Sequence, residues 1–129
     1  MHQEIDADTD ALAKQVVDAS IKVHKTLGPG LLESVYEACL AHELTSRGVQ
    51  IKRQLPLPIS YDGMVLDAAL RLDLVVGDRL IVELKSVEAL LPTHQSQLMT
   101  YLKLSGIRLG LLINFNTRLL RDGVKRIAL

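Results

Sequence analysis

Glu83, Leu84 and Lys85 end an apolar run of the sequence, and Asp73 precedes Glu83 by ten residues. Because side chains alternate between the two faces of a strand, Glu83 and Lys85 would project from one face and Leu84 from the other. One chemistry that uses this arrangement is a cation site: the two acids hold a divalent cation, and Lys85 polarises a water molecule or neutralises developing negative charge. The alternative is an exposed strand with an ordinary ion pair. The triplet alone leaves both interpretations open.

The turn between the two acidic residues decides whether they can meet. A two-residue turn at Gly77-Asp78 would leave Asp73 on the face opposite to Glu83, because a shift of one residue exchanges the faces of a strand. A three-residue turn from Gly77 to Arg79, or a bulge, would place both acids on one face. We predict the longer turn or a bulge.

Hydrophobic periodicity predicts the elements that position these residues. Apolar residues at spacings of three and four indicate one helix over about residues 8–27 and a second from Leu31 to Gly48, separated by Gly28-Pro29-Gly30. Three strands are expected over residues 49–61, 64–76 and 79–87. A third helix from Pro92 to Gly106, a buried strand over 108–115 and a short strand over 124–129 complete the order.

This order predicts a mixed α+β fold of the broad α/β class. Three strands in a meander, followed by a crossover helix and a further strand, imply a mixed sheet with helices packed on it. Pro56 and Pro58 place the first strand at an edge, because proline cannot donate a hydrogen bond to a neighbouring strand. Asp62-Gly63 is a hairpin turn.

Length and composition set the class of protein. The 129 residues, of which 48% are hydrophobic and 23% charged, are expected to form a single globular domain over 1–129. Fifteen basic and fifteen acidic residues give a formal net charge of 0, which counts modestly against a general nucleic-acid binder. A metal site with a basic rim can nevertheless act without a basic whole.

The cellular compartment is predicted from what the sequence lacks. Cys39 is the single cysteine, so neither a disulfide framework nor a cysteine zinc site can form, and a reducing cytoplasm is expected. The polar, acidic first ten residues do not resemble a secretory signal. No apolar run approaches the roughly 20 residues that a membrane span requires, so no membrane is expected among the partners.

The element order, with Asp73, Glu83-x-Lys85 and a helix directly after them, resembles the PD-(D/E)xK nuclease superfamily. Residues 30–36 read G-x-x-E-x-x-Y, which is similar to the naming motif of the GxxExxY family within that superfamily. The resemblance implies a restriction-endonuclease-like core of helix, three strands, helix and strand, here with an extra N-terminal helix. One departure is that Leu72 precedes Asp73, so the Pro-Asp dipeptide is absent.

The resemblance also implies the roles of individual residues. Glu33, Asp73 and Glu83 would bind Mg²⁺ or Mn²⁺, and the carbonyl oxygen of Leu84 would add a ligand. Asp73, Glu83, Lys85 and Gln97 would be catalytic, with Lys85 assisting the attacking water. Gln97 and Tyr101 match a Q-x-x-x-Y element on the crossover helix, and their spacing of four places them on one helix face.

Each of these residues also has an ordinary structural interpretation. Glu33 suits a helix N-terminus whether or not a metal is present. Tyr36 would support a site carboxylate or simply pack on the sheet, and Gln97 would be a solvated helix residue. Arg71 would contact phosphate or pair with an acid. Six further cations would form a basic rim or only dispersed surface charge: Lys52, Arg53, Lys103, Arg108, Lys125 and Arg126.

The function predicted first is a nuclease that hydrolyses nucleic-acid phosphodiesters, DNA in preference to RNA, with Mg²⁺ or Mn²⁺. A nuclease-like fold kept as a binding or assembly module, with weak or no catalysis, is the alternative, favoured by the neutral charge and by an aromatic content of only 3%. A third interpretation is an ordinary surface network in a protein that acts as a homodimer through its edge strand.

Overall fold

A computed structural model describes residues 4–129. Its elements follow the predicted order: α1 (Ala7–Leu27), α2 (Glu33–Ser46), β1 (Ile51–Tyr61), β2 (Met64–Val76), β3 (Leu80–Lys85), α3 (Pro92–Ser105), β4 (Leu109–Asn114), a 3₁₀ helix (Leu120–Gly123) and β5 (Val124–Ala128). The clearest difference is that α2 begins at Glu33 instead of Leu31, after an extended Leu32. Within the described residues, no helix is long and apolar enough to cross a membrane.

The strands form one mixed sheet in the order β1-β2-β3-β4-β5. Neighbouring strands are antiparallel except for β3 and β4, which are parallel and are connected by the crossover helix α3. Strand β1 lies at an edge, as its two prolines predicted. The α+β fold class and the mixed sheet are therefore confirmed.

Helices cover both faces of the sheet. On one face, α1 and α2 pack on a core that includes the fully buried Leu40, Leu74, Val82 and Leu84. On the other face, α3 packs on a second core that includes Ile81, Leu98 and Leu112. Since successive residues of β3 belong to different cores, the strand is buried on both sides, which accounts for its unbroken apolar run.

The turn between β2 and β3 has three residues. Val76 pairs with Leu80, which leaves Gly77, Asp78 and Arg79 in the turn. Gly77 and Asp78 have φ angles of 58° and 56°, in the left-handed region. The last pair of this ladder is Leu74 with Val82. The next position in the same register places Asp73 opposite Glu83. The predicted longer turn is confirmed.

Candidate functional site

Hydrogen bonds from side chain to backbone join Asp73 and Glu83 where the β2–β3 ladder ends. The backbone N–H of Asp73 donates to Glu83 Oε1 at 3.1 Å, and the backbone N–H of Leu84 donates to Asp73 Oδ2 at 2.9 Å. Each carboxylate thus binds the backbone of the opposite strand. This exchange brings the two acidic groups side by side, just beyond the last backbone pair of two strands that are held by the core.

The pair is short of positive charge. Glu83 is only 5% exposed. Burial, and next the adjacent Asp73 carboxylate, raise the pKa of Glu83 to about 9, whereas the charge of Lys85 lowers it by less than either of them raises it. Two carboxyl groups that share a buried space cannot both ionise easily unless a cation accompanies them.

Lys85 lies next to this pair without forming the ordinary ion pair that the sequence allowed. Its side chain is half-buried. Among residues 4–129, no carboxylate oxygen lies within 4.0 Å of its ammonium nitrogen, so it forms no ion pair. Its backbone is fixed, because Phe115 N–H donates to the Lys85 carbonyl at 2.9 Å. The lysine is therefore close enough to influence Glu83 and is not consumed by a structural salt bridge.

Helix α3 brings Tyr101 and Gln97 to the same place. Tyr101 is 6% exposed. Burial, followed by the charges of Glu83 and Asp73, raises the pKa of Tyr101, and a hydrogen bond with Gln97 acts in the opposite direction. Gln97 itself is exposed. The helix thus supplies the hydroxyl group of a buried tyrosine and one solvent-facing amide beside the acidic pair.

A cleft of about 650 Å³ opens on the α2 side of Asp73. Its lining includes the carboxylates of Glu33, Glu37 and Asp73, and the chain at Leu84 and Ser86. No lysine, arginine or histidine belongs to this lining. A phosphate group would be repelled from such a cleft unless a cation were bound first.

Glu37 and Gln54 are site residues that the sequence analysis missed. Glu37 is 7% exposed; it accepts hydrogen bonds from Arg53 Nη2 at 3.1 Å and from Gln54 Nε2 at 2.6 Å. The same Gln54 amide lies 3.5 Å from Asp73 Oδ1. The spacing of four between Glu33 and Glu37 was a sequence signal for a shared helix face. The left-handed φ of 50° at Gln54, opposite Asp73, left no such signal.

Glu33 lies apart from the acidic pair in the structure. It is the first residue of α2, it is exposed, and Leu32 at the N-cap makes no side-chain capping bond. Among residues 4–129, no three His, Cys, Asp or Glu side chains lie close enough together to hold a metal ion. The structure therefore brings Asp73 and Glu83 together and leaves Glu33 across the cleft, where its charge faces water.

Tyr36 and Arg71 make no contact with the pair. The Tyr36 hydroxyl donates to Gly28 O at 2.5 Å and accepts from Leu31 N–H at 3.1 Å, and its ring stacks on Phe115. Tyr36 therefore fixes the loop before α2 and does not bind a site carboxylate. Arg71 is exposed on β2 and has no acidic partner within the described part of the chain.

The donor set fits a hard divalent cation. Mg²⁺ and Mn²⁺ are bound by carboxylate oxygens together with water, and Asp73 and Glu83 supply such oxygens from rigid strands. The raised pKa of Glu83 identifies the place where added positive charge would favour the ionised pair. Leu84 is adjacent to the pair through its amide, so the predicted contribution of its carbonyl oxygen stays a prediction.

A five-stranded mixed sheet between helices, with paired acids and a lysine on neighbouring strands, defines a nuclease-like α+β protein. A family model described as the PD-(D/E)XK nuclease superfamily matches residues 10–127. The chain belongs to this superfamily. Comparisons with curated proteins and with solved structures gave no match.

Proposed function

We propose that the chain is a nuclease that uses Mg²⁺ or Mn²⁺ to hydrolyse phosphodiester bonds, with DNA as the preferred substrate, and that it belongs to the GxxExxY family. The observation that supports this most is the Asp73–Glu83 pair beside a lysine that has no structural ion pair. We also propose that residues 1–129 make up a single nuclease-like domain.

The acidic residues would hold the cation. Asp73 and Glu83 would be its principal ligands, the Leu84 carbonyl would be a further one, and Glu33 would add a ligand from across the cleft. When bound, the cation supplies charge stabilisation for the phosphate and lowers the pKa of a water molecule. The two strands would hold both carboxylates in place before the cation binds.

The remaining residues would act on water and substrate. Lys85 would orient the attacking water through its ammonium group, or would accept the water's proton in its neutral amine form, as the new phosphorus–oxygen bond forms. The phosphorus–oxygen bond to the leaving group breaks, and the leaving oxygen takes a proton from solvent. Gln97 faces solvent beside the pair and would contact the phosphate, whereas the buried Tyr101 would fix the position of Glu83. Arg71, on the exposed part of β2, would contact a more distant phosphate, and Tyr36 would act only through the loop it holds.

Cleavage of labelled single-stranded and duplex DNA tests this function. The wild-type protein is expected to cleave in Mn²⁺ and not in EDTA, and Lys85→Ala is expected to reduce the rate at least 100-fold, the order expected for loss of a proton-transfer group. Lys103→Ala is the matched control, because Lys103 is exposed on α3. Equal cleavage by all three proteins, with or without EDTA, would contradict the proposal.

A catalytically weak binding or assembly module is the second candidate. It is favoured by the net charge of 0 and by the separation of Glu33 from the acidic pair. Calorimetry with Mn²⁺ distinguishes the two candidates. Binding that Asp73→Asn abolishes without unfolding the protein supports the nuclease, and the absence of binding by the wild type supports the module.

A further inference from the structure

A second cleft, of about 480 Å³, is lined by cations. The side chains of Lys25, Arg118 and Arg121 border it, together with Gly28, Pro29 and the buried Leu120. No aspartate or glutamate belongs to its lining, and Asp122, the nearest acid in the sequence, lies outside it. We call this cavity the basic cleft. Its charge is opposite in sign to that of the cleft at Asp73.

The cations of the basic cleft differ from those that are held in ion pairs elsewhere in the chain. Lys52 is paired with Asp78, Arg53 with Glu37 and Arg126 with Asp10, so three of the six cations of the predicted rim have carboxylate partners. Lys103 and Lys125, also of that rim, lie outside the linings of both clefts. Within residues 4–129, by contrast, Lys25, Arg118 and Arg121 have no carboxylate partner. They are also exposed, so their charges are available to a ligand.

The loop that carries the two arginines is held in place. Thr117 O accepts a hydrogen bond of 2.7 Å from the buried His24, which belongs to α1. Asn116 N–H donates to Asn114 Oδ1 at 3.1 Å. Leu120 is 4% exposed and packs in the core, so Arg118 and Arg121 flank an anchor. A charge on a fixed loop binds a ligand with less loss of conformational entropy than a charge on a mobile one.

The basic cleft adjoins the candidate active site. The loop between α1 and α2 forms a wall of both cavities, because Gly28 and Pro29 line the basic cleft and Leu31 lines the acidic one. Tyr36 bridges the two ends of this wall through Gly28 O and Leu31 N–H. The Ser86 hydroxyl, just beyond Lys85, donates to Leu31 O at 2.5 Å. A long ligand bound at Asp73, such as a nucleic-acid strand, would therefore need to cross one loop to reach the three cations.

We propose that the basic cleft binds the phosphate backbone of a nucleic-acid strand that has another of its phosphates at Asp73 and Glu83, an inference that rests on the proposed function. The three cations supply sequence-independent affinity, because arginine and lysine neutralise phosphates and release condensed counterions. Two arginines favour phosphate further, because the guanidinium group binds it through two parallel hydrogen bonds. This site explains how a chain with no net charge could hold a polyanion beside an acidic cleft.

Fluorescence anisotropy with labelled single-stranded DNA in EDTA measures binding without cleavage. The double variant Arg118→Gln/Arg121→Gln is expected to raise Kd at least tenfold and to reduce the slope of log K against log salt by about 1.4, that is, about 0.7 for each lost phosphate contact. The matched control is Lys103→Gln/Lys125→Gln, which removes the same charge from exposed positions outside the cleft. It is expected to change Kd by no more than about twofold.

The outcomes separate this inference from the proposed function. If the wild type cleaves DNA in Mn²⁺ but the cleft variant binds like the control, the basic cleft is wrong and the nuclease stands. If the cleft variant alone loses binding and no protein cleaves, the cleft is supported and the nuclease is not. If the wild type does not bind DNA, or if polyglutamate of equal charge displaces the DNA as well as unlabelled DNA does, the inference is overturned.

Discussion

Asp73 and Glu83 illustrate how two paired strands can hold acidic side chains at a place where burial is unfavourable for them. A buried carboxylate is costly unless it accepts hydrogen bonds or has a cationic partner. Here each acid accepts one backbone N–H from the strand opposite, which partly compensates for burial. The compensation is incomplete, as the raised pKa of Glu83 shows. The site therefore stores an unfavourable interaction that a bound cation would relieve.

The metal-free protein is expected to lose stability as the pH rises from 6 to 8.5. Because the pKa of Glu83 is raised from 4.5 to about 9, the folded state keeps a proton in this range that the unfolded state has lost. The unfolded state binds fewer protons, so the free energy of unfolding falls with pH; the contribution is complete below about 4.5 and is lost towards 9. Thermal unfolding in EDTA at the two pH values measures the effect.

Glu83→Gln is the control for this pH dependence. Glutamine keeps the hydrogen-bond acceptor and does not titrate, so the variant is expected to have nearly the same Tm at both pH values. Because the pKa of Tyr101 is raised from its ordinary value of 10.0, this residue does not titrate between pH 6 and 8.5 and leaves the comparison unaffected. Mn²⁺ is expected to offset the loss in the wild type at pH 8.5 only. A wild-type Tm that rises with pH in EDTA would contradict the assignment.

Gln54 is expected to position Asp73. Its amide bridges the buried Glu37 and Asp73, so shortening the side chain removes the bridge. Gln54→Asn is the suitable change, because asparagine tolerates the left-handed backbone at φ 50° better than most residues. Loss of such a supporting residue typically weakens metal binding 10- to 100-fold, and we expect about tenfold for Mn²⁺ by calorimetry.

Gln50→Asn is the matched control for Gln54→Asn. Gln50 precedes β1 and its side chain is exposed, while its carbonyl accepts from Gly77 N–H through the backbone alone. The control is expected to bind Mn²⁺ like the wild type. Equal Mn²⁺ affinities of the two variants would show that the contact between Glu37 and Gln54 stabilises the fold and does not position Asp73.

At the scale of elements, the β2–β3 hairpin sets which acids can meet. Gly77 is left-handed, and a Cβ atom there would lie 2.7 Å from Leu12 Cδ1 of α1. Gly77→Ala is expected to lower the free energy of unfolding by about 2 kcal/mol, from backbone strain plus this contact. Gly63→Ala, at a left-handed turn with no atom within 4 Å, should cost only about 1 kcal/mol. Urea unfolding measures both; equal costs would mean that Leu12 moves aside freely.

The order of elements was predictable because each has a local cause. Pro56 and Pro58 indicated an edge strand, and the apolar run over 108–115 indicated a buried strand. The start of α2 was placed too early, because Leu31 and Leu32 are apolar but extended into the loop that Tyr36 holds. The role of Glu37 could not be predicted, because it depends on the position of Gln54, a contact between residues 17 apart in sequence.

At the scale of the whole molecule, neutrality conceals a separation of charge. The acidic cleft at Asp73 and the basic cleft at Arg118 lie on two sides of one loop, while many other charges are paired with each other. A net charge of 0 therefore excludes long-range attraction of a polyanion but not binding at short range. The net charge of 0 therefore bears on how fast a nucleic acid would encounter the protein, and not on whether the two clefts could bind it.

The far end of the β1–β2 hairpin is expected to contribute little to stability. Tyr61, Met64, Val65 and Leu66 are between 46% and 71% exposed, and none belongs to either core. Tyr61→Ser/Leu66→Thr should therefore change the free energy of unfolding by less than about 0.5 kcal/mol, since surface substitutions rarely do more. Leu57→Ala, at a buried position of the same strand, should cost about 2 kcal/mol or more.

The Tyr61→Ser/Leu66→Thr variant and the wild type together distinguish a hairpin that is free in solution from one that is buried in a homodimer. If the hairpin is free in solution, urea unfolding of the wild type is independent of protein concentration, because no partner binds the folded state. If a second copy covers these apolar residues, the Tyr61→Ser/Leu66→Thr variant loses stability and the wild-type midpoint rises with concentration. We expect the first result, because Pro56 and Pro58 lie on the edge strand and hinder the pairing of its free side with another chain.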